Sequence, residues 1–165
     1  MEKNDARQIL ILPYYIDKSE DKLYYALFKS KDTEVWMGVS GGCHFGEDYE
    51  KAAIREAEEE IGFSGDILQL DTVAYIRKDI FYNFKDWNDD ILVIPQVYFG
   101  MQLKKKLIAL NDEFIEFIWV DFESAYKMLF FQNNKTAIWE LNARLLKKLK
   151  GKDFLNYRVF SIDCV

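Results

Sequence analysis

The segment GGCHFGEDYEKAAIREAEEEIGF, residues 41–63, constrains the fold of this chain more than any other. Residues 48–61 combine helical periodicity with strong helix formers, and Gly62 follows as the expected C-cap. The last turns of this predicted helix carry four acids, Glu56, Glu58, Glu59 and Glu60. Like charges one turn apart weaken an isolated helix by a few tenths of a kcal/mol. The acids therefore form either a solvated helix face or the binding site of a cation.

The helical wheel separates the apolar residues of this segment from its acids. Because successive residues turn by roughly 100°, small and apolar side chains share one side: Ala53, Ile54, Ala57 and Ile61. Three acids fall within an arc of about 100° on the other side: Glu56, Glu59 and Glu60. We expect these three carboxylates to converge on one exposed spot, where their oxygens suit Mg²⁺ or Mn²⁺.

The residues before the helix favour the cation over the solvated face. A glycine-rich loop, Gly41–Gly46, is followed by Glu47. Glycines allow a sharp bend and close approach of the backbone. Such a bend would carry Glu47 and the backbone of residues 40–42 back towards the helical acids.

Elsewhere the pattern predicts a sheet with interleaved helices. Predicted strands cover residues 9–16, 22–30, 34–42, 67–80, 91–103 and 113–120. Asp121 is the expected N-cap of a helix that runs to about Phe130, and an amphipathic helix is predicted over residues 135–150. In the tail, 151–165, the stretch RVFSI could pair as an edge strand. The fold class is therefore α+β, with a mixed sheet in a single domain over residues 1–165.

The spacing in the first segment resembles the Nudix box, G-x5-E-x7-R-E-U-x-E-E-x-G-U, where U is a bulky apolar residue. The matching positions are Gly41, Glu47, Arg55, Glu56, Glu59, Glu60, Gly62 and Phe63. Ala57 stands at a U position as a mild variant. The resemblance implies an α/β/α sandwich around a mixed sheet. It also implies a hydrolase that cleaves a nucleoside diphosphate linked to another moiety, with divalent cations at the reacting phosphates.

The same resemblance assigns roles to residues of the box. Glu56, Glu59 and Glu60 would hold Mg²⁺, with Mn²⁺ as the alternative. Arg55 would orient a catalytic glutamate, with Glu47 or Glu59 as its partner. Gly41 and Gly42 resemble the loop glycines that lie against the substrate.

The family does not fix the general base, and Glu60 or a residue outside the box could activate water. Glu113, just before a predicted strand, is the candidate outside the box, and Glu116 is a weaker one. An ordinary surface acid at the start of a strand is an equal interpretation of Glu113.

A finer resemblance concerns the substrate. The stretches VWMGVSGG, EFIEFIWVDFESAYKML and NNKTAIWEL are similar to the dATP / dihydroneopterin triphosphate pyrophosphatase group. Phe114 replaces that group's histidine, and Asn133 stands in place of its serine. The resemblance implies cleavage of a nucleoside or pterin triphosphate to the monophosphate and pyrophosphate. ADP-ribose, a dinucleotide polyphosphate, a nucleotide sugar, or nucleotide sensing without cleavage are the alternatives.

Further residues are candidates for substrate contact. Trp36 could stack on a ring, although a core tryptophan is slightly favoured. Arg7 and Lys29, near strand ends, could meet phosphates or be surface charges. Asn134 and Lys135 could contact a triphosphate, or Asn134 could cap a helix. The aromatic loop Phe81–Asp90 could cover the substrate or form a dimer contact, or its aromatic rings could pack under the loop.

Composition narrows the class of partner. The net charge of −6 argues against sequence-independent binding of long nucleic acids, which requires a basic surface. The N-terminus lacks the apolar run of a signal peptide, and no apolar stretch approaches the ~18 residues of a membrane span. With only two cysteines, Cys43 and Cys164, a disulfide scaffold is not expected. We expect a cytoplasmic enzyme for a small phosphorylated substrate, with homodimers common among similar proteins.

Overall fold

A computed structural model of the protein describes residues 4–151, and within them seven strands form one mixed sheet. The strands are β1 Asn4–Asp17, β2 Lys22–Ser30, β3 Trp36–Met37, β4 Val39–His44, β5 Asp66–Arg77, β6 Val93–Gln102 and β7 Phe114–Val120. The helices are α1 Tyr49–Ile61, α2 Phe122–Met128 and α3 Gln132–Lys150. The predicted α+β sandwich is confirmed.

The long strand β1 organises the sheet because it has three partners. Its first half pairs antiparallel with β4, its last residues pair antiparallel with β2, and its middle pairs in parallel with β6. The strand order is β3-β2-β1-β6-β5, with β7 paired to β2. Both faces of β1 are buried along its apolar residues 9–12.

The alternation of β1 divides the core into two layers. Ile9 and Ile11 face α1, whose alanines let the helix pack closely. Leu10 and Leu12 face the other way, into the layer under α2 and α3. The helices therefore cover both faces of the sheet, as in an α/β/α sandwich. No helix within residues 4–151 is long and apolar enough to cross a membrane.

Two predicted helix ends are confirmed. Gly62 ends α1 with φ 76°, a left-handed conformation that a glycine adopts without steric cost. Asp121 caps α2, where its Oδ1 accepts a hydrogen bond from the backbone N–H of Ser124 at 2.8 Å. Local chemistry thus sets both ends.

Other predicted boundaries differ from the structure. Gly41 and Gly42, which end the predicted strand 34–42 and open the predicted glycine-rich loop, both belong to β4, because their backbone pairs with Ile9 and Gln8 of β1. The predicted strand 67–80 ends at Arg77, and residues 78–80 form a short 3-10 helix. α3 begins three residues before the predicted start, so Asn134 lies inside it and is not its cap. The tail stretch RVFSI lies outside the described residues.

The contact between α3 and the sheet yields a stability prediction. Leu141 is fully buried and lies against Gly100 of β6, where a Cβ would come within 2.4 Å of Leu141 Cδ1. We expect Leu141→Ala to lower the free energy of unfolding by about 3 kcal/mol, since it leaves a cavity in a tightly packed layer. Urea denaturation measures this change. Leu149→Ala, on the same helix at 44 % exposure, is the matched control and should cost less than about 0.5 kcal/mol. Equal losses would contradict the packing described.

Candidate active site

Arg55 is the centre of a hydrogen-bond network that joins α1 to the segment before it. Its Nε donates to Glu47 Oε1 at 3.0 Å, and its Nη2 donates to Glu47 Oε2 at 2.9 Å. Nη2 also donates to the carbonyl of Gly42 at 2.8 Å, and Nη1 to Glu56 Oε1 at 2.8 Å. The hydrogen bonds from Arg55 lower the pKa of Glu47, whose carboxylate also accepts from the His44 backbone N–H. The paired guanidinium and carboxylate thus hold the turn at residues 45–48 against the helix.

The predicted partners of Arg55 were Glu47 or Glu59, and the structure shows which contact is closer. Glu47 makes a bidentate contact with the Arg55 guanidinium. Glu59 Oε2 lies 3.5 Å from Arg55 Nη1, and its side chain is 59 % exposed. Glu59 therefore makes the longer and more exposed contact with Arg55, whereas Glu47 makes two hydrogen bonds to it.

Gly41 leaves the space that the Glu56 carboxyl group occupies. A Cβ built on Gly41 would lie 2.1 Å from Glu56 Cδ and 2.5 Å from Glu56 Oε1. The flanking β4 residues Val39 and Cys43 are buried in the layer under α1, so position 41 faces the same helix. Only glycine leaves room for a carboxyl group against this strand.

Glu60 is buried at the C-terminal end of α1, beside the loop that carries Glu113. The backbone N–H of Asn111 donates to the Glu60 carbonyl at 3.0 Å, and that of Ala109 donates to the Ile61 carbonyl at 2.9 Å. These bonds satisfy carbonyls that the end of a helix leaves open. Asn111 Oδ1 then accepts from the Glu113 backbone N–H at 3.0 Å. The loop therefore brings Glu113, 53 residues further along the chain, to the helical acids.

The burial of these acids corrects the helical-wheel expectation. The three glutamates do not share one exposed spot, because Glu60 is 3 % exposed and the Glu56 side chain 12 %, against 59 % for Glu59. Burial and the charges of Glu113 and Glu56 raise the pKa of Glu60 to about 10. Burial also raises the pKa of Glu56. The site is thus a partly buried group of acids that repel one another.

A divalent cation fits this donor set chemically. Glu60 Oε2 is buried without a hydrogen-bond partner among the described residues, and Glu60 lies within the field of two further carboxyl groups. Carboxylate oxygens are the ligands that Mg²⁺ and Mn²⁺ prefer. Within residues 4–151, no three such side chains are already arranged around a common metal position, since Glu56 and Glu59 both turn to Arg55. Binding would require these side chains to reorient.

Three residues predicted to contact substrate have other partners. Arg7 donates to Asp5 and, from Nη2, to the Glu47 carbonyl at 2.7 Å, which places it at the edge of the Arg55 network. Lys29 lies 3.6 Å from Glu116 Oε1. Trp36 packs against the layer under α3. Contact of these three residues with substrate stays a prediction.

A cavity of about 420 Å³ lies on the opposite face of the sheet from α1. Most of its lining residues were not among the candidates for substrate contact that the sequence suggested. It is lined by Gln8, Leu10, Met37, Ser40, Tyr75, Ile76, Arg77, Ile80, Phe81, Gln96, Tyr98, Phe131, Asn133 and Asn134. We call it the sheet cavity. The signal in the sequence was a glutamine beside an apolar run in each of two neighbouring strands, Gln8 in β1 and Gln96 in β6. The aromatic loop reaches it through Phe81, which packs edge-on against the buried Trp87.

Known proteins resemble this chain in sequence and in structure. The family model described as NUDIX domain matches residues 18–145. An RNA pyrophosphohydrolase from Sphingopyxis alaskensis is 32 % identical over 108 residues, which cover 59 % of this chain and 67 % of that protein.

Two solved structures show the same fold. A NUDIX hydrolase from Listeria monocytogenes superposes with a TM-score of 0.74 at 29 % identity, covering 86 % of this chain and 95 % of the other. The E. coli dihydroneopterin triphosphate pyrophosphohydrolase superposes with a TM-score of 0.68 at 20 % identity, covering 87 % and 100 %.

The approach of Gly41 to Glu56 predicts an asymmetry between two adjacent glycines. Gly41→Ala should displace the Glu56 carboxyl group and lower kcat/KM for anhydride hydrolysis at least tenfold more than Gly42→Ala, since displacements of about 1 Å can cost about 100-fold. A Cβ at position 42 meets only the movable Gln8 amide, at 3.3 Å. Steady-state kinetics on both variants, with thermal melts to confirm folding, measures the difference. Equal losses in the two folded variants would show that Gly41 does not position Glu56.

Proposed function

The chain belongs to the NUDIX family and is a hydrolase of phosphorus anhydrides, and from this we propose that it is a divalent-cation-dependent pyrophosphohydrolase. Its substrate is a nucleoside triphosphate or a related pterin triphosphate, which it cleaves to the monophosphate and pyrophosphate. The observation that carries this proposal is the group of acids that Arg55, Gly41 and the 109–113 loop assemble.

The acids of this group have two roles, cation binding and proton abstraction. Glu56, Glu59 and Glu60 would hold the cation, which when bound supplies positive charge that neutralises the substrate phosphates and polarises the phosphoryl oxygen. Arg55 holds Glu56 in place through its 2.8 Å hydrogen bond. The carboxylate of Glu113, or that of Glu60 after the cation has displaced its proton, would take a proton from the attacking water. The water oxygen bonds to one phosphorus of the α–β link, the bridging P–O bond breaks, and the group on the other side of that bond leaves with the electron pair, so that the products are the monophosphate and pyrophosphate.

Support for a triphosphate substrate comes from the sequence stretches outside the box. Trp36, Ser40 and the NNKTAIWEL stretch resemble the pattern of the dATP / dihydroneopterin triphosphate pyrophosphatase group, with Asn133 in place of its serine. Asn133 and Asn134 from that stretch line the sheet cavity, which is large enough for a bicyclic ring.

A second candidate substrate is the 5′-triphosphate end of an RNA, favoured by the Sphingopyxis relative. The reaction would be the same, with pyrophosphate as the leaving group. The acidic net charge of −6 favours a small substrate over a long polyanion.

The products of hydrolysis test the proposal. With Mg²⁺ present, we expect dATP, dGTP or dihydroneopterin triphosphate to yield pyrophosphate and a monophosphate. The comparison set is ADP-ribose, a dinucleotide polyphosphate and a 5′-triphosphorylated oligoribonucleotide, with pyrophosphate assayed directly and the nucleotide and sugar phosphates identified by chromatography. Highest kcat/KM on ADP-ribose, with two monophosphates released, would overturn the triphosphate assignment. Preference for the oligoribonucleotide would support the second candidate, and tight nucleotide binding without any product would indicate a sensor.

Removing one carboxylate at a time tests the proposed cation ligands. Glu59→Gln and Glu60→Gln should each lower turnover with Mg²⁺ about 100-fold, because losing a charged ligand weakens stabilisation of the transition state by about 3 kcal/mol. Glu58→Gln is the matched control, since Glu58 is exposed on the same turns and accepts a hydrogen bond from Ser64. Steady-state kinetics over a range of Mg²⁺ concentrations measures the effect. Wild-type turnover in both the Glu59 and Glu60 variants would exclude this ligand set.

A further inference from the structure

Glu113 is held by both of its backbone groups. Its N–H donates to Asn111 Oδ1 at 3.0 Å, and its carbonyl accepts from the backbone N–H of Lys31, which follows β2, at 2.9 Å. A side-chain oxygen that accepts from the N–H two residues later closes an Asx turn, a local substitute for backbone pairing. The backbone of Glu113 is thus fixed although the residue is exposed and lies just before β7.

Asn111 also contacts the helix that carries the other acids. Its backbone N–H donates to the Glu60 carbonyl at 3.0 Å, and that of Ala109 donates to the Ile61 carbonyl at 2.9 Å. These two hydrogen bonds dock the loop on the C-terminal end of α1. Asn111 therefore joins the backbone of Glu60 to the backbone of Glu113, through its own N–H on one side and its side-chain oxygen on the other.

The two acids that Asn111 joins also affect each other through their carboxyl groups. After burial, the charge of Glu113 is the largest cause that raises the pKa of Glu60. Like charges at short range repel, and a carboxylate on an unrestrained loop would move out into water, where the repulsion is screened. The hydrogen bonds of Asn111 oppose that movement, because they fix the backbone from which the Glu113 side chain extends.

We propose that Asn111 is a positioning residue for the hydrolysis, which keeps the Glu113 carboxylate beside Glu60, where it takes the proton of the attacking water. This inference rests on the proposed function and names the residue that holds its candidate base in place. Glu60 is 3 % exposed, which suits a ligand of a bound cation, whereas Glu113 is exposed and can reach a water molecule. In this role Asn111 acts only through Glu113.

A double-mutant cycle tests this role, because Asn111→Leu removes the side-chain acceptor, keeps the backbone N–H and adds no charge. On the triphosphate that the wild-type protein hydrolyses fastest, we expect it to lower kcat about tenfold or more and to change KM less than about twofold. In a Glu113→Gln background the same substitution should cost less than about twofold, since the group through which it acts is gone. A merely structural role would produce equal losses in both backgrounds.

Asp17→Leu is the matched control. Asp17 Oδ1 accepts from the Ser19 backbone N–H at 2.9 Å, which is the same kind of turn, in the hairpin that joins β1 to β2. We expect this variant to keep kcat within about twofold of wild type, because its Asx turn lies outside the group of acids. A loss equal to that of Asn111→Leu would overturn the proposal.

Titration with Mn²⁺ in the absence of substrate gives a second measurement of the same cycle. Because Glu113 contributes negative charge beside Glu60, Glu113→Gln and Asn111→Leu should each weaken Mn²⁺ binding about threefold or more. The affinity of the double variant should match that of Glu113→Gln alone. Isothermal titration calorimetry measures these affinities.

The outcomes separate this inference from the proposed function. Unchanged kcat in Asn111→Leu or in Glu113→Gln, or equal losses from Asn111→Leu in both backgrounds, would overturn the positioning role. Absence of hydrolysis of every compound tested would refute the proposed activity, and the Mn²⁺ cycle alone would then decide. Coupling between positions 111 and 113 in that cycle would support the placement of Glu113 by Asn111, and independent effects would overturn it.

Discussion

The arrangement of the candidate site depends on Arg55. Its guanidinium contacts Glu47, the Gly42 carbonyl and Glu56 together, and so ties one helix, one strand and the turn between them. The Glu47–Arg55 pair is largely shielded from water, with side chains 14 % and 21 % exposed, so it is screened less than a surface pair would be. Without the Arg55 guanidinium, Glu56 would lose the hydrogen bond that fixes its position against β4.

A second constraint brings acids from distant parts of the chain together. The open carbonyls at the end of α1 accept hydrogen bonds from the 109–113 loop, and that loop delivers Glu113 to Glu60. Burial, together with the charges of Glu113 and Glu56, raises the pKa of Glu60 and so disfavours its charged form. A site that is strained in this way gains stability when it binds a cation.

The predicted and observed structures agree at the helix ends, which the type of a single residue and its near neighbours determine. Gly62 and Asp121 were assigned as helix caps from residue type and position, and both assignments are confirmed. The sequence left Gly41 and Gly42 at the boundary between a predicted strand and a predicted glycine-rich loop, and the structure places both in the strand. Glycine favours loops by its local freedom, but here it is required because a strand packs directly against a carboxyl group.

The sequence by itself determined the family, because the helical period and the spacing of Gly41, Arg55 and the glutamates are properties of a short continuous segment. It also determined the α+β class through its alternating strands and helices. Only the tertiary structure decided that Glu60 is buried and that Asn134 lines a cavity with Gln8 and Gln96. These relations join residues that are far apart in the chain, and strand order and register, which no local pattern specifies, bring them together.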